Sequence, residues 1–125
     1  MGKKRKIKEL QTFEAFEQAL REEISVSAEF DLPLTVLDVN VEGGWKEEDV
    51  RRALDTLRVA DLVAHPEPEE LLVALPNTVT AAAQVVEERL RKAVPVATFG
   101  IAPYRRGDRV EDLLKRAQSA GAERH

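Results

Sequence analysis

Residues 58–78 read RVADLVAHPEPEELLVALPNT: two short apolar runs flank a turn that holds two prolines and three glutamates. The runs at 60–64 (ADLVA) and 71–75 (LLVAL) are too short for helices and are bounded by breakers. They are expected to be the strands of a β-hairpin whose loop is longer than two residues. Pro76-Asn77-Thr78 stops the second strand and can cap the next helix. Beyond the hairpin, Val79, Ala82, Ala83, Val86, Leu90 and Ala93 make a helical stripe that runs up to Pro95. Before it, Val50, Ala53, Leu54 and Leu57 share one face of a helix over 46–58, and Glu47, Glu48 and Asp49 complement its N-terminal dipole.

Further out, LTVLDVNV at 34–41 is β-rich and apolar enough for a central strand buried on both faces, apart from Asp38 and Asn40, and Gly43-Gly44 ends it. Residues 96–102 supply the last strand. Thr12 is the expected N-cap of a helix that carries Phe13, Phe16, Leu20 and Ile24. Asp108 and Glu111 form an Asp-x-x-Glu capping box for a short final helix docked by Leu113, Leu114 and Ala117. The inner order is strand, helix, strand, strand, helix, strand. It predicts an α+β fold with a ferredoxin-like or palm-like βαββαβ core. That core is a mostly antiparallel sheet with helices packed on one face, plus an extra N-terminal helix and a short C-terminal one.

Composition sets the outer limits. With 125 residues, 43% of them hydrophobic, the chain can bury one core, so a single domain over 10–125 is expected behind a flexible basic tail over 1–9. The tail bases Lys3, Lys4, Arg5, Lys6 and Lys8 make the remainder more acidic than the net charge of −4 suggests. They lack aromatic interleaving and an accompanying DNA-reading helix, so they read as a solubilising tail, and no nucleic-acid partner is expected. Lys6 stands where a myristoylation motif on Gly2 needs Ser or Thr. The absence of cysteine excludes disulfides and thiolate chemistry, and two histidines, His65 and His125, are too few for an imidazole metal site. No apolar run reaches the length of a bilayer span, so a cytoplasmic protein is expected.

With the hairpin set between the helix pair, residues 13 to the C-terminus resemble the GGDEF family of diguanylate cyclases. The run 58–78 is similar to that family's pattern of R-x-x-D, five residues, the GGDEF signature, an apolar strand and L-P-x-T. LPLTVLDVNV, AAQVVEERLRKAV and TFGIA are similar to its first strand, a helix and its S-x-G-x-A strand. The resemblance implies a palm-like fold, cyclic di-GMP signalling, a pair of magnesium-holding acids and an inhibitory site in which an arginine and an aspartate hold cyclic di-GMP. The signature positions here read Glu67, Pro68, Glu69, Glu70 and Leu71, so both glycines are lost and the third and fourth carboxylates survive. Proline fixes φ and deletes an N–H, which gives the wrong shape for a close approach to guanine. The guanine-contacting segment after Asp38 is about a dozen residues short by the family's pattern. Lys115 and Arg116 precede the segment that should hold the triphosphate cations.

These deficits predict no cyclase activity and no catalytic residues. Asp38, Glu69 and Glu70 are expected to be a remnant that holds magnesium only weakly, and no cofactor is expected. Arg58 and Asp61 are the candidate cyclic di-GMP site, because a guanidinium forks onto phosphate or a guanine edge. Three functions are expected, in order. The first is a non-catalytic regulatory module in bacterial signalling that binds another protein or itself. The second is a cyclic di-GMP receptor, and the third is a residual magnesium-dependent nucleotide enzyme. Trp45 either covers the sheet edge or anchors a partner, and Tyr104, Arg105 and Arg106 form a basic loop.

Overall fold

The computed structural model describes residues 9–122; the bases of the N-terminal tail and His125 lie outside them. The element order is α1 (Phe13–Phe30), β1 (Leu34–Asn40), α2 (Glu47–Asp55), β2 (Leu62–Glu67), β3 (Glu70–Pro76), α3 (Thr80–Ala93), β4 (Thr98–Pro103) and α4 (Val110–Ala122). The strands form one sheet in the order β2-β3-β1-β4, and every pairing is antiparallel. This is the ferredoxin-like order, as the hairpin and its flanking helices require.

Strand periodicity divides the core into two layers. Leu37 and Val39 of β1, Leu71, Val73 and Leu75 of β3, and Phe99 of β4 point toward α2 and α3, where Ala53, Ala83 and Leu90 meet them. Val36 of β1 and Leu72 and Ala74 of β3 point the other way, toward Phe16 and Leu20 of α1 and Leu113, Leu114 and Ala117 of α4. Helices therefore cover both faces: the inner pair shares one, as expected, and the two outer helices take the other. That is why β1 is apolar on both sides. Each fully buried Leu or Phe in these layers contributes roughly 1.5–3 kcal/mol.

Local signals were obeyed unevenly. Thr12 caps α1, accepting from the Ala15 N–H at 3.1 Å. The helix runs past Ile24 to Phe30 and closes on Asp31, whose φ of 54° lies in the left-handed region. A buried Ser27 interrupts the apolar stripe there, which hides the last turns from a periodicity count. The expected Asp108–Glu111 capping box does not form. Asp108 instead takes the Arg105 N–H and the Arg116 guanidinium, and Asp112 accepts from the Arg109 N–H at 2.9 Å, one residue further on. Thr78 does not cap α3 either, since the N-cap is Val79, which makes no side-chain cap bond. No helix among the described residues is long and apolar enough to cross a membrane.

Candidate functional site

The acidic hairpin turns more tightly than its sequence suggests. Its loop is only Pro68-Glu69, between Glu67 and Glu70. The surplus length is absorbed in β2, where the register shifts between Ala64 and Glu67. Proline cannot donate to a ladder, so an irregular edge strand is where Pro66 fits. The β1–α2 loop is tied to this turn from one side. Trp45 donates its backbone N–H to the Pro68 carbonyl at 2.9 Å and its indole Nε1–H to the Val39 carbonyl at 3.4 Å. The indole also packs against the buried layer under α2 and α3. Trp45, His65, Pro66 and Pro68 line an open cleft of about 620 Å³.

The three candidate metal-holding acids are not gathered together. Glu69 turns toward the β1–α2 loop and accepts from the Gly43 N–H at 3.2 Å. Asp38 points to the opposite face, under the end of α4, and is only 3% exposed. There its Oδ2 accepts from Asn40 Nδ2 at 2.8 Å, and Oδ1 receives no donor from any neighbour. Burial, and then the Glu70 carboxylate hydrogen-bonded to it, push Asp38 up to about 8. Asp38 therefore keeps its proton at neutral pH, and Glu70 Oε2 accepts from Gln118 Nε2 at 2.9 Å. No group of three or more metal-capable side chains converges among the described residues.

Arg58 and Asp61 do come together, but chiefly on each other. Asp61 is 1% exposed; its Oδ2 takes the Arg58 N–H at 2.7 Å, and its Oδ1 takes Nε at 3.1 Å and NH2 at 2.7 Å. The same guanidinium donates to the Pro76 carbonyl at 3.1 Å and to Thr78 Oγ1 at 2.9 Å. The Thr78 carbonyl in turn accepts from the buried Thr35 hydroxyl at 2.7 Å. This clamp ties the α2–β2 turn to the start of β1 and the end of β3. Arg58 keeps 55% of its side chain in solvent.

Comparison with solved structures gives this arrangement a frame. The chain overlays on the diguanylate cyclase SiaD of Pseudomonas aeruginosa, solved with its activator SiaC, at a TM-score of 0.82 and 23% identity, covering 91% of this chain and 54% of SiaD. It overlays on the GGDEF domain of YfiN (TpbB) from the same organism at 0.82 and 22%, covering 93% of this chain and 84% of that one. For the GGDEF domain of DgcB from Caulobacter crescentus, solved with c-di-GMP, the values are 0.81 and 13%, with 98% and 92% covered. This is the GGDEF fold. The chain spans about half the length of SiaD. No family model and no curated protein matches the sequence.

Within this fold, Asp38 lies on the central strand β1, and the R-x-x-D turn leads from α2 into the hairpin. The partnerships that fill these positions were not legible. Gln118, Thr78 and Thr35 carry no motif of their own; the one usable signal was that Thr35 interrupts a strand buried on both faces and so needs an acceptor. The basic loop splits. Arg106 donates to the Ala28 carbonyl at 3.2 Å, while the Arg105 side chain is exposed.

The clamp yields a stability prediction. Arg58→Ala leaves a buried carboxylate short of its strongest donors and is expected to lower unfolding free energy by about 2–3 kcal/mol. Arg58→Lys keeps the charge but not the fork, and is expected to recover less than half of that loss. Urea denaturation of the three proteins checks this; equal midpoints would mean the clamp contributes nothing.

Proposed function

We propose that this domain works by binding and not by catalysis, as a regulatory or protein-interaction module in bacterial signalling. One observation carries the reading. Pro68 occupies a signature position that the resemblance assigns to glycine, and its carbonyl is tied to the Trp45 N–H, so the turn is held against the shortened β1–α2 loop in a shape set by proline. Joining two nucleoside triphosphates requires paired acids on magnesium and cations on the phosphates. Here Glu69 faces a backbone amide, and buried Asp38 retains its proton, which makes a poor magnesium ligand set. We therefore assign no catalytic step through a metal. A protein partner suits the fold: SiaD was solved with its activator, a protein.

The second reading, a cyclic di-GMP receptor, draws on the half-exposed guanidinium of Arg58 and on DgcB, which was solved with c-di-GMP. Its difficulty is Asp61, which would have to leave Arg58 while buried. Calorimetric titration of cyclic di-GMP into the wild type and Arg58→Lys, with GTP and magnesium in parallel, separates the readings. The expected result is no heat from either nucleotide and no product from GTP. Micromolar binding, about 8 kcal/mol, lost in a folded Arg58→Lys protein would make this a receptor. Magnesium-dependent turnover lost in Glu69→Ala would make it an enzyme.

A further inference from the structure

The sheet end opposite the hairpin turn gathers exposed apolar side chains on neighbouring loops. Phe30 ends α1, Val59 lies just beyond α2 and Val79 precedes α3; they are 62%, 70% and 54% exposed. Leu32, Pro33, Val79 and Tyr104, with the polar Ser27, Asp31 and Arg106, line one cleft of about 300 Å³. The Arg58–Thr78 hydrogen bond joins the turn that bears Val59 to the loop that bears Val79, so these tips are held in place before anything binds. Preorganisation of this kind removes part of the ordering cost of association. Beside the cleft, Arg105 and Arg106 are exposed, and Asp31, 4.0 Å from Arg106, is the acid closest to hand.

We propose that this end receives the acidic hairpin turn of a second copy of the chain. Glu67, Pro68 and Glu69 are all exposed, so the turn offers an apolar ring between two carboxylates to a cleft of mixed lining, with Leu32, Pro33 and Val79 for the ring and two arginines against one acid at its rim. The donor and the receiver sit at opposite ends of the same strands, since β2 starts just after Val59 and ends at Glu67. The contact is therefore head-to-tail and propagates into a chain or a ring instead of closing as a symmetric pair. This inference rests on the binding-module reading and names its partner.

Sedimentation velocity on the purified chain over a wide concentration range tests it. The weight-average mass of the wild type should rise with concentration in about 0.05 M salt and fall back toward monomer in about 0.5 M salt, where charges are screened within a few ångströms. Arg105→Glu with Arg106→Glu gives two acidic ends, and Glu67→Lys with Glu69→Lys gives two basic ends. Each double variant alone should stay folded and monomeric, losing only the single surface hydrogen bond that Arg106 or Glu69 makes, and an equimolar mixture should associate again. The inference is overturned if the wild type stays monomeric throughout, if either double variant associates like the wild type, or if the mixture does not recover. Any of these leaves the non-catalytic reading standing, because that reading falls only on nucleotide turnover or ligand heat.

Discussion

Gly100→Ala is expected to dislodge α4 and unfold the domain under conditions where the wild type is stable. A Cβ at this position of β4 would lie 2.0 Å from the Ala117 carbonyl oxygen and 2.4 Å from the Gly121 nitrogen, both main-chain atoms that no rotamer change can move. The helix would have to lift by an ångström or more. Doing so opens the layer that holds Val110, Leu113, Leu114 and Ala117 against the sheet. Overpacking and lost burial together should cost about 4 kcal/mol or more, a large part of the roughly 5–15 kcal/mol available to a domain of this size. Gly121→Ala, whose Cβ would meet Gly100 at 3.3 Å, should cost only about 1 kcal/mol. Urea unfolding followed by circular dichroism distinguishes them. A Gly100→Ala protein with a wild-type midpoint would refute the close packing of α4 on β4.

Asp38→Asn is expected to stabilise the protein, and by an amount that depends on pH. Asp38 holds its proton up to about 8 in the folded state against an ordinary value of 3.8. Below pH 4 the folded and unfolded chains both bind that proton, and the group is neutral in the comparison. Between pH 4 and 8 only the folded chain binds it, so stability falls as pH rises through this window and levels off above it. The full shift corresponds to about 5–6 kcal/mol, an upper bound, because the site can relax around the charge. Asparagine fits the same space and offers Glu70 a permanent N–H donor. The substitution should therefore change little at pH 4 and add about 2–3 kcal/mol near pH 8. Denaturation midpoints of both proteins across that range check the slope; parallel curves would mean that Asp38 is ionised when folded.

The sequence was most readable where a period ran uninterrupted. The apolar run of β1 marked a strand buried on both faces, as Leu37 and Val39 on one side and Val36 on the other now show, and the order of elements then left few topologies. It was least readable where a polar residue had several partners within reach. Asp108 stood one step from a plausible capping box, yet a long-range arginine, Arg116, outcompeted the local amide. The hairpin loop was expected to be longer than two residues because prolines suggest an open turn; an edge bulge absorbed them instead. At the candidate site, sequence assigned Asp38 to the first strand, Glu69 and Glu70 to the hairpin, and Arg58 and Asp61 to the turn before it, as the structure has them, but side-chain direction decided what each of them touches. Adjacent residues on a strand face opposite ways, so Glu69 and Glu70 could not both serve Asp38.

The two-sided position of β1 also shapes how the chain reaches its native state. β1 pairs with β3, more than thirty residues later, and with β4, about sixty residues later, whereas only the β2–β3 hairpin closes locally. During synthesis the hairpin can form early, but β1 gains its second neighbour and its α4 cover only once residues 98–122 have emerged. Until then an apolar strand edge and the face bearing Val36 and Leu72 stand open to solvent. That interval, and not the finished fold, is when the nascent chain is most exposed to chaperones and to aggregation.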